Sequence, residues 1–181
     1  MNIPNFLTLL RIILVPAIVI FLIQDEYFKA LIVFVAAGLT DALDGALARL
    51  LNQQSEIGAF LDPLADKILL STSFIALSIF GLIPSWLTVV VISRDIIILM
   101  GIMILSMMSI DYEIKPVFVS KITTALQIGT VFLALLLKSF SFHITNYYDV
   151  VTPVSWLTAA FTLLSGIVYI IKGIRILNRT N

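Results

Sequence analysis

Apolar stretches follow one another along almost the whole chain, parted only by short polar breaks. A bilayer's hydrocarbon core, about 30 Å thick, is crossed by roughly 20 apolar residues in a helix. Runs such as IILVPAIVIFLI, ALIVFVAAG and VVVISRDIIILMGIMIL reach that length alone or together with their weakly polar neighbours. With 60% hydrophobic residues, 12% charged residues and a mean hydropathy of +1.11, the chain reads as an all-α integral membrane protein. Six transmembrane helices are expected, roughly at 5–24, 28–51, 57–81, 84–108, 116–139 and 150–176, forming one membrane domain over 1–181. The breaks QDEYF, LNQQSE, GLIPS, SIDYEIKP and KSFSFHITNYYD carry the punctuation.

Cations near the span ends set an expected orientation. Arg11, Arg49, Lys115, Lys121, Lys172, Arg175 and Arg179 gather on one side, against Lys29 and Lys138 on the other, which puts both termini in the cytoplasm. The trio Lys172, Arg175 and Arg179 is also a candidate contact for anionic head groups, or simply the stop signal of the last span. The start, MNIPNFLTLLR, lacks the basic region and small-residue cleavage site of a signal peptide and reads as mature protein. The absence of cysteine excludes disulfides and thiolate metal sites. Zero net charge without a basic tract gives no sign of a nucleic-acid partner.

Against this background the run TDALDGALARLLNQQSEIGAFLDPLADK is anomalous. In a helix, Asp41, Asp44, Gly45 and Ala48 share one stripe with Arg49 at its edge, and Gly58, Asp62 and Asp66 repeat the device in the next span. If LNQQSE reverses the chain, four carboxylates converge near the cytoplasmic face. Each charge deep in a span costs roughly 2.5–3.5 kcal/mol, so four approach about 10–14 kcal/mol before pairing with Arg49 or Lys67 lowers the figure. Such a cluster needs cations or protons to hold it together. An all-oxygen set suits Mg²⁺ or Mn²⁺ more than zinc, and those ions bind carboxylates together with substrate phosphates. Chemistry on a phosphate-bearing lipid is the expectation. Gly45, Ala48 and Gly58 permit close approach of either a backbone or a flat ligand.

The pattern Asp41-x-x-Asp44-Gly45-x-x-Ala48-Arg49, then eight residues, then Gly58-x-x-x-Asp62-x-x-x-Asp66 resembles the CDP-alcohol phosphatidyltransferase signature at every specified position. That resemblance implies a six-helix membrane fold in which an acceptor hydroxyl attacks a phosphorus of a CDP-linked lipid and CMP departs. It implies Asp41, Asp44, Asp62 and Asp66 as ligands of two Mg²⁺ or Mn²⁺ ions, and Asp66 as general base. Gly45, Ala48, Arg49 and Gly58 fall to the CDP moiety, and a homodimer in a bacterial inner membrane is the implied setting. The opening IPNFLTLLRI resembles both the phosphatidylglycerophosphate synthase and cardiolipin synthase subgroups. By that likeness Asn5 and Thr8 border the nucleotide and Arg11 a phosphate, with N-capping or interface anchoring as the plainer duty of Asn5 and Thr8.

Two later patches bear on the acceptor. Arg94 and Asp95 lie inside an apolar span, as an internal ion pair or as part of a polar substrate cavity, and Lys121 and Thr124 share a face of the fifth span. Where phosphatidylglycerophosphate synthases usually show Gly-Lys-x-Lys-Thr, this chain has Ser120-Lys121-Ile122-Thr123-Thr124. One fewer cation suits phosphatidylglycerol, a singly charged diester, better than the nearly doubly charged glycerol 3-phosphate. The stretches around SRD and KPVFVSKITTALQ likewise look closest to the cardiolipin synthase subgroup, so CDP-diacylglycerol and phosphatidylglycerol are the expected substrates, with glycerol 3-phosphate the alternative acceptor. On this reading Arg94, Asp95, Lys121 and Thr124 serve the acceptor, and Thr123→Lys should favour the doubly charged one. An ion transporter is disfavoured, because the carboxylate set has no second copy in the chain. His143 reads as a surface residue, Tyr147, Tyr148 and Trp156 as interfacial anchors, and LMGIMILSMM as lipid-facing or core packing.

Overall fold

A computed structural model describes the backbone of residues 3–51, 56–108, 118–140 and 147–180, with side chains over 9–40, 64–105, 107–108, 118–140, 147–176 and 178. Six helices make up the described chain: α1 (Ile3–Ile23), α2 (Tyr27–Leu51), α3 (Glu56–Ile79), α4 (Ser85–Met107), α5 (Phe118–Ser139) and α6 (Tyr147–Thr180). They fall where the apolar periodicity puts them. Among the described residues, three segments are long and apolar enough to cross a membrane: Ser85–Leu105, Phe118–Ser139 and Tyr147–Ile176. The described parts of α1 and α2 add the shorter apolar helices Leu9–Ile23 and Tyr27–Thr40.

In the packing, α1 lies against α2 and α3, α3 also meets α4 and α5, α5 touches α2 and α6, and α6 closes on α4. The shared interior holds Ile18, Leu22, Phe34, Phe74, Leu77, Leu87, Val131 and Leu135. Large apolar side chains also point outward, among them Ile13, Val89 and Met103, each more than 60% exposed, as a lipid-facing surface requires.

Two turns at one end of the bundle use the same device. After α1, Asp25 takes φ 56° and the Glu26 amide donates to the Phe21 carbonyl at 2.8 Å. After α3, Gly81 takes φ +68° and the Leu82 amide donates to the Leu77 carbonyl at 2.8 Å. Both are left-handed helix ends that satisfy carbonyls otherwise orphaned. The α3–α4 turn is then clasped by α6, because Tyr147 donates its hydroxyl to the Leu82 carbonyl at 2.7 Å and Tyr148 donates to that of Gly81 at 2.9 Å. With these contacts made by its first two residues, α6 starts at Tyr147 rather than near 150, and Pro153 lies inside it. Trp156 likewise packs on Trp86 of α4, with ring centroids 4.6 Å apart, so these aromatic residues brace the bundle internally as well.

A polar seam joins α5 to α6. Ser120, Thr123, Gln127 and Thr130 on α5, and Ser155, Thr158, Thr162 and Ser165 on α6, share a 3-4-3 spacing that keeps each set on one helix face. Thr123 donates to the Phe161 carbonyl at 3.0 Å, Gln127 to the Thr162 hydroxyl at 3.4 Å, and the Thr130 and Thr158 hydroxyls meet at 2.7 Å. Small polar residues at such a contact let backbones approach and bond across it.

Candidate active site

The carboxylate positions occupy corresponding stretches of two helices. Asp41 and Asp44 stand roughly 15 and 10 Å along the axis before the end of α2, and Asp62 and Asp66 roughly 9 and 15 Å after the start of α3. Asp41, Asp44, Gly45, Ala48 and Arg49 lie on α2, Gly58 and Asp62 on α3, and Asn5 and Thr8 on α1; the side chains of all nine lie outside the described residues. Among the described residues no trio of His, Cys, Asp or Glu converges.

Asp66 is described, and among the described residues it pairs with Arg11. The guanidinium of Arg11 is fully buried and its Nη1 donates to Asp66 Oδ1 at 2.7 Å, while the Asp66 side chain is 46% exposed. A buried guanidinium requires such pairing, and the charge-assisted bond fixes α1 against α3. The carboxylate is both anchored and accessible.

One residue along, Lys67 donates through Nζ to Asp95 Oδ1 on α4. The same oxygen accepts from Arg94 Nη1 at 2.7 Å. Arg94 Nη2 donates to Ser120 Oγ of α5 at 2.7 Å and to Ser165 Oγ of α6 at 2.8 Å, and its Cζ lies 5.7 Å from the Tyr169 ring centroid. Arg94 and Asp95 thus form an ion pair, both nearly inaccessible. Lys121 points outward on α5, and the Thr124 hydroxyl donates to the Ser120 carbonyl at 3.1 Å. The structure therefore joins Lys67, Arg94, Asp95, Ser120 and Ser165 in one set of contacts, with Asp66, the preceding residue of α3, paired separately to Arg11. Sequence reasoning treated Lys67 only as a charge partner and missed Ser120 and Ser165; the matched 3-4-3 spacing on α5 and α6 was the available signal.

A family profile described as CDP-alcohol phosphatidyltransferase matches residues 1–168. The chain belongs to this family. Within the CDP-alcohol phosphatidyltransferases it is 37% identical over 178 residues to human cardiolipin synthase (CMP-forming), a match covering 89% of this chain and 58% of the human protein. It is 33% identical over 195 residues to the CDP-diacylglycerol--glycerol-3-phosphate 3-phosphatidyltransferase of Bacillus subtilis (strain 168), covering 99% of each chain. A probable phosphatidylglycerophosphate synthase of Mycobacterium tuberculosis (strain CDC 1551 / Oshkosh) is 30% identical over 181 residues, covering 96% of this chain and 82% of that one. The chain thus spans under three-fifths of the length of the human cardiolipin synthase it matches.

Proposed function

We propose that this protein transfers a phosphatidyl group from CDP-diacylglycerol to a hydroxyl of phosphatidylglycerol, giving cardiolipin and CMP. The observation that carries the reading is Asp66, the last position of the family signature, held by Arg11 at 2.7 Å yet 46% exposed. Asp66 takes the proton of the acceptor hydroxyl as its oxygen bonds to the phosphorus bearing the diacylglycerol and the bond from that phosphorus to CMP breaks. Arg11 orients the Asp66 carboxylate during this step. Gly45, Ala48, Arg49 and Gly58, with Asn5 and Thr8, receive the CDP moiety. Lys121 and Thr124 receive the acceptor, with Arg94 and Asp95 as the interior frame behind them.

The donor chemistry fits a hard divalent ion: the signature offers carboxylate oxygens, the chain has no cysteine, and its one histidine lies at position 143. Asp41, Asp44, Asp62 and Asp66 would hold two Mg²⁺ or Mn²⁺ ions, which would supply neutralisation of the diphosphate and of the leaving oxygen. We place all six helices across the membrane, the termini and the site at the cytoplasmic face of a bacterial inner membrane, and the chain in a homodimer. The cation distribution supports the orientation.

For the acceptor, support comes from the similarity to human cardiolipin synthase. The second reading is a phosphatidylglycerophosphate synthase acting on glycerol 3-phosphate, favoured by the end-to-end match with the B. subtilis relative. Purified protein given labelled CDP-diacylglycerol with each acceptor in turn separates the two. Cardiolipin from phosphatidylglycerol, with little product from glycerol 3-phosphate, is expected. Robust phosphatidylglycerophosphate without cardiolipin overturns the acceptor assignment.

A further inference from the structure

We infer that Lys67 is a contact for the acceptor's phosphate ester, held ready by Asp95. Three charged side chains meet at one point: Asp95 Oδ1 accepts from both Arg94 and Lys67. Among the described residues, two cations against one carboxylate leave a surplus positive charge here. Arg94 cannot carry it outward, because it is 5% exposed and tied to Ser120, Ser165 and Asp95. Lys67 is the open member of the cluster, its side chain 36% exposed. A surplus cation at the accessible edge of a low-dielectric interior is a site for an anion. If Lys67 turns to that anion, Asp95 keeps Arg94 and no buried carboxylate is left bare.

The position of Lys67 names the anion. It follows Asp66 directly, about 1.5 Å further along α3, with the two side chains diverging toward α4 and α1 respectively. A ligand touching both lies across the face of α3 with a hydroxyl at Asp66 and a negative charge at Lys67. Glycerol carrying a phosphate ester on one terminal carbon and a free hydroxyl on the other has that form. Phosphatidylglycerol and glycerol 3-phosphate share it. The inference therefore rests on the phosphatidyltransferase reading above, but not on which of the two acceptors is used.

Steady-state CMP release is measured in mixed micelles for wild type, Lys67→Met, Lys67→Arg and the remote control Lys29→Met, varying acceptor and CDP-diacylglycerol separately. The product formed by wild type decides the acceptor independently of any KM. Lys67→Met is expected to raise the KM of that acceptor about tenfold or more, with kcat and the KM of CDP-diacylglycerol within about twofold, and Lys67→Arg is expected to recover most of the loss. An unchanged acceptor KM overturns the inference, as does a fall in kcat alone or a rise confined to the KM of CDP-diacylglycerol. If wild type releases no CMP with either acceptor, the phosphatidyltransferase reading fails by itself. Lys67 is then read from protection against thermal unfolding by glycerol 3-phosphate, or by phosphatidylglycerol in neutral-detergent micelles: protection lost in Lys67→Met supports the phosphate contact, and equal or no protection in both proteins overturns it.

Discussion

A carboxylate that takes a proton from an alcohol must be reachable and fixed, and the Arg11–Asp66 pair gives Asp66 both properties. Asp66→Asn keeps the shape but removes the base, so CMP release should fall by at least about 100-fold while CDP binding, followed by calorimetry, persists. Near-normal turnover would remove Asp66 from that role. Chelation should abolish CMP release from wild type, and added Mg²⁺ or Mn²⁺ should restore it; in Asp41→Ala or Asp62→Ala, excess metal should restore little. A variant with ordinary metal dependence would place the ions elsewhere. These proposed assignments rest on sequence because the signature is local, its members spaced by helical turns. The partners do not: Arg11 and Asp66 are 55 residues apart, Lys67 and Asp95 28 apart, and Arg94 and Ser165 71 apart. Such distances are closed only by packing, so the partners of Arg11, Lys67 and Arg94 could not be read from sequence.

At the scale of helices, apolar length and polar breaks sufficed to locate all six elements, because each break interrupts a run that a bilayer would otherwise accept. What the runs do not encode is which face meets which neighbour. Thr123 shows the consequence. On sequence alone a lysine there looks like a way to favour a doubly charged acceptor, but Thr123 is fully buried and its one hydroxyl proton is shared between the carbonyls of Val119 and Phe161. Thr123→Lys should therefore part α5 from α6 and cost about 2–3 kcal/mol, read as lowered resistance to unfolding in detergent, rather than redirect the reaction. Undiminished stability together with a gain in glycerol 3-phosphate turnover would show that the lysine reaches the acceptor after all.

In the molecule as a whole, directed polar bonds act at two levels. At one level the Arg11–Asp66 pair and the cluster around Asp95 tie α1 to α3, α3 to α4, and α4 to α5 and α6. At the opposite end, Tyr147 and Tyr148 hold the α3–α4 turn to the start of α6. Removing the hydroxyl in Tyr147→Phe should cost about 1 kcal/mol of stability and leave kcat within about twofold, since the bond lies away from Asp66. A large loss of kcat at unchanged stability would mean that the two ends are coupled. The chain has only two tryptophans, and they are the pair Trp86 and Trp156 at the same end as the tyrosine contacts. The protein's ultraviolet emission is therefore a beacon for that end: its colour and intensity follow the parting of α4 from α6 there, and stay dark to events around Asp66.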